Sequence, residues 1–471
     1  MKLLPQVPIL LLSVAAILGS YPLQSLAQES NPTEDTTTLE ENLVVSVESY
    51  NRGVELFGAE AYTEAISAFD EAIRLRSDYA EAYMYRGAAY KALGEVDTAV
   101  ADFNQAIRLD STLARAYLLR AEAYYELGDV QQSLRDAQTA VSLDPTLGDA
   151  HLYQGLVDLQ AGNSAAAISD FTAAIDQNPE QTGAYLLRGF AYDQEGDYRA
   201  AIADFSSVLE RDDENVIAYV GRGAAYYREG KLAEAEADLD RALSINSALP
   251  FAYYNRSFVY AAQNRPNRAI EDLSQAVDLK PDFIRAYLNR GLLHEYQGNL
   301  EAALTDFNRV LELDANFLQA YQARADIQLR QGRSAEAVAD YSQAIQLLPD
   351  KAELYKLRGD AYLAADDLSA ALADYNQAIA LRTDYTEAYA ARGQIYADIG
   401  AIQRAYDDLS LVISLDAGNV DPDVLYSRGL ARMRLGDLAG ARADLERAAD
   451  RYLEIGEPEG YRETLVELRQ L

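Results

Sequence analysis

Cysteine and tryptophan are absent from this chain of 471 residues, and only two histidines occur, His151 and His294. Without cysteine there is no disulfide, no thiolate metal site and no thiol nucleophile. A metal needs three or four clustered ligands. His151 stands near Asp158 on one helix face and no other ligands accompany them, so it reads as a hydrogen-bonded packing variant. Positive charge is scarce: 41 Lys and Arg face 75 Asp and Glu, a net charge of −34. Such a surface repels phosphate backbones and anionic headgroups, which argues against nucleic acid and direct membrane binding. There is no Gly-rich phosphate loop and no nucleophile motif. Acidic doublets such as Asp366-Asp367 and Asp407-Asp408 are what so acidic a chain produces by chance. The expectation is therefore no enzyme, no catalytic residue, no cofactor and no metal.

What the chain has is repetition. The stretch Ala80–Leu113 implies two amphipathic helices, Ala80–Leu93 and Val96–Leu109, about a turn at Gly94. The same pattern recurs every 34 residues from about Ser46 to Arg451, twelve times, with two extra residues before Gly429. A glycine recurs in the first helix at Gly53, Gly87, Gly155, Gly189, Gly223, Gly291, Gly359, Gly393 and Gly429. Tyrosine stands four residues before it, as at Tyr83 and Tyr185, and three after it, as at Tyr90 and Tyr192. Alanine and a large residue follow in the second helix, as at Ala201 and Phe205. Small residues let helices approach and large ones fill the space beside them. Pro145, Pro179, Pro281 and Pro349 mark second-helix ends. A fixed period of this length with two helices per unit indicates a solenoid.

These columns resemble the tetratricopeptide repeat family over about 400 residues. The resemblance implies an all-α, right-handed superhelical solenoid of helix hairpins. It also implies a groove lined by first helices that binds peptides or folded partners.

The ends depart from the pattern. Lys2, the apolar run Pro8–Gly19 and Ser25-Leu26-Ala27 fit a cleaved signal peptide over residues 1–27. The apolar run is too short to span a bilayer, which takes about 20 residues. An uncleaved N-terminal anchor is the other reading. Residues 28–45 read as a polar linker and the start of the first helix, 46–451 as the twelve repeats and 452–471 as a capping helix. Export would place the chain in the periplasm or outside the cell, or in a thylakoid lumen if the source is photosynthetic.

Two sets of residues are candidates for more than packing. Arginine precedes the glycine column and aspartate precedes the large second-helix residue, each in eleven of twelve repeats. Folding the hairpin back brings them to one level. The expected pairs are Arg86 with Asp102, Arg120 with Asp136, Arg188 with Asp204, Arg222 with Asp238, Arg290 with Asp306 and Arg358 with Asp374. The second set is a first-helix stripe that varies between repeats. It is apolar at Leu118, Tyr125, Leu152, Leu156, Leu186, Phe190, Tyr227, Tyr254, Phe258, Leu288 and Leu292. It turns polar at Gln322, Asp326, Lys356, Asp360 and Gln394. An exposed apolar stripe with a polar rim marks an interaction surface. The alternative is that these side chains pack against the next repeat. The functional expectation is an exported scaffold for a protein or peptide partner, an assembly or adaptor factor. A self-associating spacer and a carrier of small ligands such as glycans are the other readings.

Overall fold

The computed structural model describes residues 37–415 and 420–471, with side chains from residue 42 onward. The expected signal peptide, and the linker before residue 37, lie outside the described residues. Every regular element among the described residues is an α-helix.

The helices follow in pairs: α1 (Thr37–Gly58) and α2 (Tyr62–Leu75), α3 (Ala80–Ala92) and α4 (Val96–Leu109), α5 (Ala114–Glu126) and α6 (Val130–Leu143). Then come α7 (Gly148–Gln160) and α8 (Ser164–Gln177), α9 (Thr182–Glu195) and α10 (Tyr198–Arg211), α11 (Val216–Arg228) and α12 (Leu232–Ile245), α13 (Pro250–Ala262) and α14 (Pro266–Leu279). The remainder are α15 (Ile284–Tyr296) and α16 (Leu300–Leu313), α17 (Leu318–Arg330) and α18 (Ser334–Leu347), α19 (Ala352–Ala364) and α20 (Leu368–Leu381), α21 (Thr386–Asp398) and α22 (Ile402–Leu415), α23 (Pro422–Leu435) and α24 (Leu438–Ile455), and α25 (Pro458–Leu468).

The chain divides inside α14 into two compact units, whose described parts are residues 37–272 for one and residues 273–415 and 420–471 for the other. Within each unit a first helix packs on its own second helix and on the neighbouring first helix, as α5 does on α6 and α7. The two extra residues of the last repeat fall between α22 and α23.

The small-and-large columns form the core. Phe103, Phe171, Phe205 and Leu239 in the first unit, and Phe307 and Tyr375 in the second, are fully buried. The first-helix glycine makes room for them. A Cβ on Gly189 would sit 2.8 Å from Cε1 of Phe205, and one on Gly221 of the next repeat 2.7 Å from Cζ of the same ring. That ring therefore fills the space between two successive first helices.

Each hairpin turn passes through the left-handed region, at φ 80° for Gly94 and 83° for Gly196. Glu60, Asn264 and Asp366 occupy this position in other repeats and adopt φ of 57°, 58° and 61°. The turn geometry is imposed by the hairpin, and these side chains bear its steric cost. Glu60→Gly should therefore stabilise the first repeat by about 1 kcal/mol, read as a higher urea midpoint. An unchanged or lower midpoint would contradict this.

The C-terminal end differs in detail from the expected boundary at residue 451. Helix α24 runs on to Ile455, a turn longer than the other second helices, and Gly456 at φ 77° ends it. Helix α25 folds back on α24 with Thr464 buried and Tyr461, Leu465 and Leu468 half-buried.

Candidate functional site

Ladder arginines and aspartates meet in both units. In residues 37–272, Nε and Nη2 of Arg86, Arg120, Arg188, Arg222 and Arg256 donate to both carboxylate oxygens of Asp102, Asp136, Asp204, Asp238 and Asp272, at 2.6–2.9 Å. In residues 273–471 the same two-pronged contact joins Arg290 to Asp306, Arg324 to Asp340, Arg358 to Asp374, Arg392 to Asp408 and Arg428 to Asp444, again at 2.6–2.9 Å. The aspartates are buried. Their hydrogen bonds hold guanidinium groups such as Arg188 and Arg222 above the ordinary arginine range, against the opposing effect of burial.

The third nitrogen reaches backward. Nη1 of Arg120 donates to Asn104, that of Arg188 to Thr172 and that of Arg222 to Ser206, at 2.6, 3.0 and 3.0 Å. In the other unit Arg290 reaches Ser274 and Arg358 reaches Ser342, both at 3.1 Å. Each such arginine thus ties its own second helix to the preceding one. The two tyrosine columns enclose the same group: Arg222 lies 5.7 Å from the Tyr219 ring and 5.9 Å from Tyr226, and Arg392 lies 5.2 and 5.8 Å from Tyr389 and Tyr396. A cation over a ring face gains further attraction. Sequence reading missed both the backward contact and the role of the tyrosines. The signal was present, because the residue 16 before most of these arginines is Asp, Asn, Ser or Thr.

The ladder is incomplete in two repeats: Ala68 stands where the first repeat would carry the aspartate for Arg52, and the other break carries a polar substitute. Asp170 faces Gln154 where an arginine stands elsewhere, and Nδ1 of His151 lies 3.3 Å from its Oδ1. Burial pushes the Asp170 carboxyl up, and its contacts with His151 and Gln154 offset this in part. A carboxyl raised in the fold binds a proton more readily there than when unfolded. Stability then falls as pH rises through that interval and recovers on acidification. His151→Tyr with Gln154→Arg restores the ladder pattern. It should raise stability at neutral pH by about 1.5–3 kcal/mol and remove this acid-side slope. Urea unfolding across pH tests both.

The variable stripe is mostly packed. Leu118, Leu152, Leu156, Leu186, Tyr254, Phe258 and Leu288 are buried. They cannot all meet a partner, because much of the stripe seals one repeat to its neighbours. Tyr125, Phe190, Tyr227 and Leu292 remain half-buried. In the first unit each half-buried ring rests against a buried one. Tyr125 lies 6.3 Å from Tyr153, Phe190 lies 5.1 Å from Phe205, and Tyr227 lies 6.0 Å from Phe258, centroid to centroid. The rings are held firmly and present one edge or face outward.

Charged groups flank them. Lys91 Nζ is 2.6 Å from Glu122 and 3.4 Å from Glu126. Arg228 Nη1 is 2.6 Å from Asp193. In residues 273–471 the polar stripe stays open, with Asp326 and Gln394 exposed and Gln322, Lys356 and Asp360 half-buried, and two of its carboxylates also serve the core. The Tyr341 hydroxyl donates to Asp326, and that of Tyr375 to Asp360 at 2.8 Å. Lys356 Nζ also lies 2.7 Å from Asp360. The two tyrosines replace phenylalanine in the core column, and each hydroxyl finds its acceptor on the stripe.

Family models described as TPR repeat match residues 53–94, 87–128, 259–298, 325–366 and 359–400. Others described as Tetratricopeptide repeat match 118–182, 152–196, 186–250, 284–317 and 423–452. The chain belongs to the tetratricopeptide repeat (TPR) family. Similar solved structures include a TPR protein from Parabacteroides merdae, 20% identical over 55% of this chain and 99% of that one, with a TM-score of 0.40. YrrB, described as a TPR protein with an unusual peptide-binding site, is 22% identical over 41% of this chain and 97% of its own, with a TM-score of 0.35. Yeast Tom70 is 17% identical over 90% of this chain and 96% of its own, also at 0.35. No curated protein matches the chain.

Among the described residues of this TPR chain, no group of three or more His, Asp or Glu is placed to hold a metal ion. Among them, too, no helix is long and apolar enough to cross a membrane.

Proposed function

We propose that this TPR chain is an exported scaffold that binds a segment of another protein along the first-helix face of residues 37–272. The observation that carries the reading is the row of half-buried rings Tyr125, Phe190 and Tyr227, each backed by a buried aromatic. Rigid aromatic surface binds with little loss of side-chain entropy, which is why Tyr and Phe are favoured at contact surfaces. The pattern of residues 1–27 and the absence of cysteine support export. An adaptor or assembly role follows from a surface that recognises a partner and carries no recognisable catalytic constellation.

The test is a cross-linked pull-down from the native envelope fraction, comparing the mature chain with a Tyr125→Ala, Phe190→Ala, Tyr227→Ala variant. The expected result is a partner held by the first and lost by the second, while the variant keeps its helical circular dichroism. Equal capture by both would remove the first-helix face as the binding surface. N-terminal sequencing of the exported chain should begin near Gln28. Retention of Met1 on a membrane fraction would favour the uncleaved anchor.

A further inference from the structure

We propose that the surface around Asp149 docks a lysine-bearing segment of the partner, with the ammonium received between Asp149, Glu122 and the ring pair Tyr125 and Tyr153. This rests on the reading of the first-helix face as a peptide-binding surface and names the chemistry of its occupant.

The site already holds one ammonium. Lys91 lies against Glu122 and Glu126, with its side chain largely buried. Asp149, in the first turn of α7, adds a third carboxylate to this group, and its charge reaches both Glu122 and Tyr153. Two carboxylates thus share Lys91 and Asp149 adds its charge beside Glu122, leaving two negative charges uncompensated within the group. Burial pushes the Glu122 carboxyl above its ordinary value and Lys91 pulls it back, so further positive charge would stabilise its ionised form.

A second observation points the same way. The Gln181 side chain is buried, at 2% exposure, and its Nε2 donates to Asp149 Oδ1 at 3.0 Å. The carbonyl oxygen of that amide has no hydrogen-bond partner among the described residues. An orphaned buried acceptor beside an exposed carboxylate lacks a donor. A lysine ammonium brings three donors and no acceptor. The edge-to-face pair of Tyr125 and Tyr153 adds electron-rich surface for a cation. The net charge of −34 favours the approach of a basic segment and opposes an acidic one.

Fluorescence anisotropy of labelled hexalysine with the mature full-length chain tests this. An Nε-acetylated hexalysine serves as the uncharged probe. Asp149→Asn keeps an acceptor for Gln181 and removes the charge. Gln181→Met removes the orphaned oxygen. Glu234→Gln, an exposed acid on α12, controls for general charge. Hexalysine should bind, the acetylated probe should not, and each of the first two variants should weaken binding about tenfold while Glu234→Gln leaves it unchanged. Equal loss with Glu234→Gln, no loss with Asp149→Asn, or no binding to the unaltered chain would overturn the proposal. If hexalysine fails while the triple aromatic variant still loses its partner, the inference falls and the first-helix reading stands. If capture is also unaffected by that variant, both fall.

Discussion

Asp306→Ala is expected to destabilise the unit of residues 273–471 by about 3–5 kcal/mol. Asp306 is 3% exposed and accepts two hydrogen bonds from Arg290, at 2.7 and 2.9 Å. Removing the carboxylate leaves a guanidinium in a largely enclosed place, still held between the Tyr287 ring and Ser274. Its charge then lacks a partner, and this desolvation cost dominates the loss. Arg290→Leu with Asp306→Leu removes both charges and should recover most of the stability. Urea unfolding of the unaltered chain, Arg290→Leu, Asp306→Leu and the double variant gives the coupling energy, and a coupling near zero would refute the assignment. A costly single variant beside a recovered double variant would identify the ladder as a device for specifying how repeats meet. Its strength lies in the penalty for a wrong neighbour, because a misregistered hairpin buries the charge without its partner.

The second large effect is expected at Phe205. Phe205→Ala should cost about 3–5 kcal/mol, with most of the loss felt in α9, α10 and α11. The ring is fully buried and faces Gly189 of its own repeat and Gly221 of the next. Truncation removes contacts on both sides, and two glycine backbones have no side chain with which to fill the void. Hydrogen exchange should therefore accelerate first in these three helices. Uniform acceleration across residues 37–272 would show that the unit opens as a whole rather than at the cavity.

The helices were legible because the repeat itself confers periodicity. Ala80–Leu93 and Val96–Leu109 were expected, and α3 and α4 span Ala80–Ala92 and Val96–Leu109. Phe258 and Leu288 show where local pattern stops being informative. On a single helix they look like an exposed apolar stripe, yet both are buried. Periodicity reports which face of a helix is apolar. It does not report whether the neighbouring first helix approaches closely enough to cover that face. Asp326 is exposed and Asp360 half-buried, as a polar stripe should be, but both have a second role that the pattern hides. Their charge suggests a solvated rim, and their partners are the buried Tyr341 and Tyr375, 15 residues further along the chain.

The amino-acid sequence by itself determined the hairpin, its period, its turn and its acidic charge, because each depends on residues close together in the chain. The direction of Arg Nη1 toward the preceding repeat, the enclosure of guanidinium groups such as Arg222 and Arg392 by tyrosines, and the survival of Tyr125, Phe190 and Tyr227 as partly open rings were decided only by the tertiary structure. Those features depend on how closely and at what level successive hairpins stack, and that spacing emerges when small and large side chains of separate repeats pack together.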